Sequence, residues 1–182
     1  MLVLGLDPSS TSTGYGLVRR DEGRPLTYID CGCIRPPTGC DFAERLETLY
    51  EELRKLLDAT PPDSVALESS FYGRDADAAA KLGEARGVLR LALRQAKLET
   101  VLYTPAEVKK AVAGNGQATK EQVQTMVARL LKMEQPPTSL DASDALAVAV
   151  CHLHRGSRSA AAEVAGSRRP EVEALLRRVA HR

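Results

Sequence analysis

Two short apolar runs in this chain each end in an acidic residue, and this pattern constrains the fold more than any other feature. The first run, Met1 to Leu6, stops at Asp7-Pro8, where a proline cannot donate to a sheet ladder. The second, Val65 to Leu67, ends at Glu68. We interpret both apolar runs as short buried strands. We therefore predict two strands of one sheet whose carboxyl ends present these acids at the same edge.

Two further acids, Asp141 and Asp144, precede the apolar run Ala145 to Val150. Their spacing of three residues places them on one face at the start of a helix. The positive end of the helix dipole favours such acids, so a capping role accounts for either one alone. Independent caps have no reason to converge with two strand ends, however. Four carboxylates at one edge suit Mg²⁺ or Mn²⁺, and paired ions of this kind cut phosphodiesters.

The rest of the chain predicts an α/β fold with a central mixed five-stranded sheet flanked by helices. A return strand and a third strand follow the first, which makes an antiparallel start. Apolar spacing and breakers then predict helices that alternate with two further strands. The predicted strands are Gly14 to Val18, Leu26 to Ile34 and Thr100 to Tyr103, and the helices are Phe42 to Leu57, Ala76 to Ala96, one opened by Pro105, Lys120 to Leu131 and the one with Asp141.

A chain of 182 residues with 43% hydrophobic content can bury one sizeable core. We predict a single nuclease domain over residues 1–155 and a basic, flexible C-terminal tail over 156–182. Arg155 to Arg182 carries seven arginines against three glutamates, so this part could touch nucleic acid or be a solvated terminus. No apolar stretch approaches the roughly 18 residues of a membrane span, and Met1 leads directly into a strand. We expect a cytoplasmic protein.

The cysteines and histidines allow one alternative metal site. A domain of this size does not need disulfides, but a zinc site is conceivable. The spacing of its residues matches none of the usual paired-ligand patterns, so we interpret the histidines as helix-end or surface residues. The residues concerned are Cys31, Cys33, Cys40, Cys151, His152 and His154, with His181 as the third histidine.

Five ordered motifs resemble the RuvC family of bacterial Holliday junction resolvases, and the match runs from about residue 2 to residue 154. One departure is visible, because the family often has glycine directly after Asp-Pro and this chain has Ser9. The motifs are Leu4 to Pro8 with Thr13 to Gly16, Leu82 to Val88, Val108-Lys109, Gly114-x-Gly116 with Lys120 to Gln124, and Asp141 to Ala147.

The resemblance implies a ribonuclease-H-like fold, a homodimer and two divalent ions, Mg²⁺ or Mn²⁺, in each active site. It also implies symmetric nicking of two like-polarity strands of a four-way DNA junction, downstream of the RuvA–RuvB branch-migration machinery. In this family the metal-binding acids correspond to Asp7, Glu68, Asp141 and Asp144. Basic residues near the scissile phosphate correspond to Lys109 and Lys120, and an aromatic residue at the junction centre corresponds to Phe71.

The residues themselves suggest how such a site would work. Two ions about 4 Å apart can activate a water on one side of a phosphate and stabilise the leaving oxygen on the other. We predict that Asp7 bridges both ions. Glu68 would hold either the ion nearer the leaving group or the ion nearer the attacking water, and both alternatives stay open. Lys120 could offset charge developing on the phosphate or be a solvated helix-start lysine, and the same alternatives hold for Lys109.

The segment after Glu68 is predicted to be a DNA-binding loop. It contains two adjacent aromatic residues, Phe71 and Tyr72, followed by Arg74 in a polar stretch. We expect Phe71 to be exposed, because base–aromatic stacking could hold bases at an opened crossover. For Tyr72, burial in the core and contact with DNA both stay open.

A pair of glycines, Gly83 and Gly87, lies with Ala80 on one face of a predicted helix. Small residues at this spacing let another helix approach closely, either from a second subunit or from the protomer's own sheet. Two cleavage sites held at a fixed separation favour a two-fold dimer.

Three other functions compete with junction cleavage. A ribonuclease H acting on RNA–DNA hybrids would use the same acids but gives no reason for a dimer. A sugar-kinase or actin-type ATPase needs a second domain, for which 182 residues leave no room. A catalytically inert junction-binding module would have no use for four acids.

Overall fold

The sheet of the computed structural model has five strands in the order β3-β2-β1-β4-β5. Residues 1–9, 11–69 and 75–166 are described, with only the helical backbone for 156–166. The first three strands form an antiparallel meander, whereas β4 and β5 run parallel to β1. This confirms the predicted mixed sheet and its antiparallel start. The strands are β1 Leu2–Pro8, β2 Thr13–Arg19, β3 Thr27–Ile34, β4 Ser64–Glu68 and β5 Thr100–Tyr103.

Helices cover both faces of the sheet. One face is packed by α1 and α2 over a leucine-rich core, and the other by α3, α4 and α5 over a core rich in valine and alanine. Capping boxes begin α1, α3 and α4, so these starts are set by local sequence. None of the helices in the described ranges is long and apolar enough to cross a membrane. The helices are α1 Phe42–Ala59, α2 Ala76–Gln95, α3 Pro105–Ala113, α4 Lys120–Leu130 and α5 Leu140–Gly166.

Strand β1 ends at Pro8, which confirms the predicted stop at Asp7-Pro8. Pro8 pairs in register with Thr13, whereas the ladder between β1 and β4 already ends at Leu6 and Leu67. Proline is tolerated here because it is the last residue of the strand. Asp7 therefore lies in extended backbone with a paired neighbour strand on one side.

Helix α5 packs directly onto the backbones of β1 and β2, because glycines remove the side chains that would separate them. A Cβ atom at any of three glycines would overlap with the helix, so α5 cannot approach this closely over larger residues. Since Gly14 is the cross-strand partner of Asp7, this contact also places the first turn of α5 beside that acid. The overlapping pairs are Gly5 with Ala145, Gly14 with Asp141 and Gly16 with Leu146.

Near its middle, α5 carries a buried histidine. His152 is 9% exposed, and its Nε2 lies 3.0 Å from Ser64 Oγ while its Nδ1 lies 2.9 Å from the hydroxyl of Tyr103. Burial lowers the pKa of His152. The expectation that this histidine is a surface or helix-end residue is therefore wrong, since two hydroxyl groups satisfy its ring nitrogens inside the protein. His181 lies outside the described residues.

The predicted boundary between domain and tail falls inside a helix. Helix α5 continues through Arg155 to Gly166, so residues 156–166 are helical in their backbone. The domain limits of 1–155 and 156–182 stay a prediction, and residues 167–182 lie outside the described part of the chain.

Candidate active site

The strand ends bring Asp7 and Glu68 together. Leu6 and Leu67 form the last pair of the parallel ladder, so the two acids follow at adjacent positions on neighbouring strands. Side chains alternate along a strand, and both acids share the face of Gly5, against which α5 packs. The predicted meeting of two strand-end acids at one edge therefore follows from register and alternation.

Burial and mutual repulsion dominate the electrostatics of this pair. Burial, with the charges of Glu68, Asp144 and Asp141, raises the pKa of Asp7 to about 8, although the ammonium of Lys120 opposes the shift. Burial and the charge of Asp144 raise the pKa of Glu68 to about 7. Both pKa values are raised, as expected for buried carboxylates without enough positive charge nearby.

Asp141 lies in the first turn of α5 and Asp144 follows three residues later at the start of the same helix, as predicted, and each has a partner. Ser12 Oγ donates a hydrogen bond to Asp141 Oδ2 over 2.8 Å. Lys120 Nζ forms an ion pair of 2.8 Å with Asp144 Oδ2, in which the acid is 15% exposed and the lysine 57%. The hydrogen bond to Asp144 raises the pKa of Lys120. All four predicted acids thus interact at the carboxyl edge of the sheet.

Lys120 reaches this edge because of how α4 begins. Thr119 caps the helix and forms a capping box with Gln122, so the first helical residue is Lys120. Helix α4 packs against α5 through its buried residues, which include Val123 and Val127. The start of α4 is thereby held next to the acidic turn of α5.

Two more cations, Lys109 and Arg86, lie close enough to Glu68 to oppose the rise in its pKa. Lys109 is carried by α3, which follows directly from β5, and the last residue of β5, Tyr103, pairs with Glu68. The backbone N–H of Ser69 also donates to the carbonyl of Tyr103 over 2.7 Å. The structure thus places Lys109 near Glu68, while its contact with the scissile phosphate stays a prediction.

Arg86 and Ser12 were not predicted as site residues. Arg86 lies on α2, on the opposite face of the sheet from α5, and reaches Glu68 electrostatically at the edge. Its position within the glycine-containing motif of α2 was the available signal. Ser12 carried no signal, because the hydrogen bond joins residues 129 positions apart.

The donor set of the four acids fits hard divalent cations. All four offer carboxylate oxygens, and the raised pKa values of Asp7 and Glu68 show a deficit of positive charge that a cation would relieve. Among the described residues, no three acidic, histidine or cysteine side chains form a ready-made metal cluster. Asp141 and Asp144 instead contact Ser12 and Lys120. The four cysteines, His152 and His154, which were considered as a zinc site, are all described and form no such cluster either.

Three predicted DNA-binding residues, Phe71, Tyr72 and Arg74, lie outside the described residues. The chain enters that segment after Ser69, one residue beyond Glu68, and leaves it at Asp75. Asp75 caps α2 by accepting from the backbone N–H groups of Asp77 and Ala78.

Known proteins resemble this chain in both sequence and structure. The profile of a family described as crossover junction endodeoxyribonuclease RuvC matches residues 3–152. RuvC of Pseudomonas syringae pv. tomato is 48% identical over 157 residues, which is 86% of this chain and 88% of that protein. RuvC of Moorella thermoacetica is 47% identical over 154 residues, which is 84% of this chain and 90% of that protein. The solved structure of T. thermophilus RuvC in complex with a Holliday junction substrate matches with a TM-score of 0.81 and 30% identity, covering 87% of this chain and 96% of that one.

Proposed function

The chain belongs to the RuvC family of crossover junction endodeoxyribonucleases, with its ribonuclease-H-like fold, and on this premise we propose how its own residues resolve four-way DNA junctions. The observation that carries the proposal is the convergence of four acids at one sheet edge. Asp7 and Glu68 repel each other there, and Asp141 and Asp144 complete the group from α5. Hydrolysis of a phosphodiester bond in each of two strands is the proposed reaction.

We propose that Asp7, Glu68, Asp141 and Asp144 hold two divalent ions, Mg²⁺ or Mn²⁺. When bound, such ions activate a water and stabilise the leaving oxygen of an in-line displacement. The charges of all three other acids raise the pKa of Asp7, which supports its role as the shared ligand. Its strand pairs with β2 and β4, so its backbone is fixed before any ion arrives.

Lys120 is proposed to act at the scissile phosphate. Its ammonium lies 2.8 Å from Asp144 and is 57% exposed, so it can face both the acids and an incoming anion. A cation held in place before the reaction stabilises developing negative charge without reorganisation. Lys109 and Arg86 lie near Glu68 and oppose the rise in its pKa by their positive charges. We propose that Lys109 contacts the DNA backbone there.

The segment after Ser69 is proposed to contact the junction through Phe71, Tyr72 and Arg74. Its attachment one residue beyond Glu68 supports this proposal, because the segment must start at the acidic edge. Stacking of a base on Phe71 would hold an opened crossover, and it is worth roughly 1–3 kcal/mol per base.

We propose a homodimer that uses the small-residue face of α2. A Cβ atom at Gly83 or at Gly87 would meet nothing within 4 Å, so this face does not pack on the protomer's own sheet. Leu91 continues the same face one turn further and is 53% exposed. A two-fold interface here would cover that leucine and fix the distance between two active sites.

Two wider proposals rest on family membership alone. The RuvA–RuvB branch-migration complex is the proposed partner, and the cytoplasm, where chromosomal junctions would arise, is the proposed compartment.

The test is incubation of the protein with labelled four-way junction, linear duplex and RNA–DNA hybrid, each with Mg²⁺, Mn²⁺ or EDTA. We expect paired nicks at symmetric positions in the junction with either metal, and none with EDTA. Preferential cleavage of the hybrid would instead assign the ribonuclease H function. Junction binding without any cleavage, equal in the protein and in Asp7→Asn, would indicate an inert binding module.

A further inference from the structure

The turn between β1 and β2 contains a serine whose hydroxyl contacts the acidic turn of α5. Ser12 is only 7% exposed, and its Oγ donates to Asp141 Oδ2 over 2.8 Å. The two residues are 129 positions apart, so only the packing of α5 on the sheet brings them together. Buried hydroxyl groups in proteins are hydrogen-bonded, and here the partner is an acid of the proposed site.

A second serine fixes the position of Ser12. The Ser12 backbone N–H donates to Ser9 Oγ over 3.0 Å, and that hydroxyl in turn donates to the Ser12 carbonyl over 2.8 Å. The backbone N–H of Ser9 donates to the same carbonyl over 2.8 Å. Two hydrogen bonds of the Ser9 hydroxyl therefore hold the N–H and the carbonyl of Ser12. The turn therefore presents Ser12 in a fixed place.

The backbone of Asp141 is already fixed, but its carboxylate is not. Contact between Gly14 and the Asp141 carbonyl region sets the position of the main chain. The side chain still has two rotatable bonds, and in a cluster of repelling acids it would turn away from its neighbours. A hydrogen bond from a hydroxyl to an ionised carboxylate is short and strong, so it can select one orientation.

We propose that Ser12 is a positioning residue that orients Asp141 as a metal ligand, with Ser9 holding Ser12 in place. Because Oδ2 accepts from Ser12, the carboxylate of Asp141 is held in one orientation in which its oxygens could bind an ion. The proposal rests on the proposed function, in which Asp141 binds a divalent ion. Groups that orient ligands from outside the coordination shell typically change metal affinity or activity by about 10–100-fold when removed.

The experiment measures Mn²⁺ binding to the full chain without DNA by titration calorimetry, together with the Mn²⁺ dependence of junction cleavage. Ser12→Ala removes the hydroxyl, and Ser12→Thr retains it. Thr11→Ala is the matched control, because Thr11 is exposed in the same turn and its hydroxyl lies 3.4 Å from Ser9 Oγ rather than on Asp141. Thermal unfolding of each metal-free variant measures any change in stability.

We expect Ser12→Ala to bind Mn²⁺ about tenfold more weakly and to need about tenfold more Mn²⁺ for half-maximal cleavage. At saturating Mn²⁺ its cleavage rate should approach that of the parent chain, and Ser12→Thr and Thr11→Ala should match the parent throughout. Unchanged Mn²⁺ affinity in Ser12→Ala would overturn the proposal. Equal loss in the alanine and threonine variants would also overturn it, because packing rather than the hydroxyl would then matter.

A separate variant distinguishes failure of this inference from failure of the proposed function. Asp141→Asn should weaken Mn²⁺ binding and cleavage more than Ser12→Ala does. If Asp141→Asn changes neither, Asp141 is not a metal ligand and the site assignment fails. If Asp141→Asn is defective while Ser12→Ala is normal, only the positioning role of Ser12 is wrong.

Discussion

The two pairs of acids at the sheet edge differ in their surroundings. The strand acids, Asp7 and Glu68, are half-buried with raised pKa values, and no hydrogen bond to either carboxylate is found within the described residues. The helix acids, Asp141 and Asp144, each accept from a partner, Ser12 and Lys120. The two pairs therefore contribute differently to the site. A bound cation would offset the repulsion at the strand acids, whereas neighbouring side chains hold the helix acids in one orientation.

The largest effect is expected from neutralising a strand acid. Asp7→Asn should abolish junction cleavage and leave binding intact or improved, because a negative charge near the phosphates is lost. Glu68→Gln and Asp144→Asn should behave in the same way, and Asp141→Asn should be at least severely impaired. Single-turnover cleavage and fluorescence anisotropy in EDTA measure the two properties. Full activity in Asp7→Asn would refute the assignment of the site.

Removal of the cation beside a helix acid tests the other half of the comparison. Lys120→Ala should slow single-turnover cleavage by about 10²-fold while weakening junction affinity much less, as expected for a contact made in the transition state. Lys110→Ala is a suitable control, since this exposed lysine lies in the last turn of α3. Equal losses of rate and affinity in Lys120→Ala would mark it as an ordinary phosphate-binding lysine.

The segment attached to the Glu68 strand is predicted to matter for junction opening rather than for chemistry. Phe71→Ala should fold, dimerise and bind metal normally, yet nick intact junctions about tenfold more slowly, in keeping with loss of one stacked base. A pre-opened or nicked junction should recover much of the activity. Lower thermal stability with equal defects on both substrates would show that Phe71 is a core residue.

The smallest expected effect concerns stability in the absence of metal. Because folding raises the pKa of Asp7 from 3.8 to about 8, the folded chain binds more protons than the unfolded chain between these values. The stability contributed by the protonated acid is therefore fully present below pH 4 and is lost as the pH rises to 8. Glu68 has the same sign, from 4.5 to about 7.

Thermal unfolding of metal-free protein from pH 5 to pH 8 checks this sign. The Tm of Asp7→Asn relative to the parent should rise with pH, by about 2–4 °C for each kcal/mol of destabilisation removed. A relative Tm that is independent of pH would mean that burial and neighbouring acids do not destabilise the ionised form of Asp7.

The strand acids were predictable from sequence, but their partners were not. Apolar runs that end in Asp7 and Glu68 reveal strand ends, and parallel pairing then places them at one edge. The spacing of Asp141 and Asp144 reveals a helix face in the same way. These predictions rest on local periodicity, which a single sequence carries in full.

Contacts made by packing left no such trace. The hydrogen bond from Ser12, the charge of Arg86 and the burial of His152 depend on how α5 and α2 lie on the sheet. A small polar residue in a turn looks the same whether it faces solvent or an active site. The two helix acids were therefore found from sequence, while the hydroxyl that holds one of them was not.

The central claim is that the strand and helix acids together form one divalent-metal site, and proton release on metal binding tests it most directly. Burial and neighbouring acids raise the pKa of Asp7 to about 8 and that of Glu68 to about 7, so a cation that binds this pair at pH 7 should displace a proton from it. Calorimetric titration of Mn²⁺ in buffers of different ionisation enthalpy should show release of about one proton per chain, and Asp7→Asn should bind weakly with little release. Tight Mn²⁺ binding that releases no proton, or that persists unchanged in Asp7→Asn, would contradict the claim.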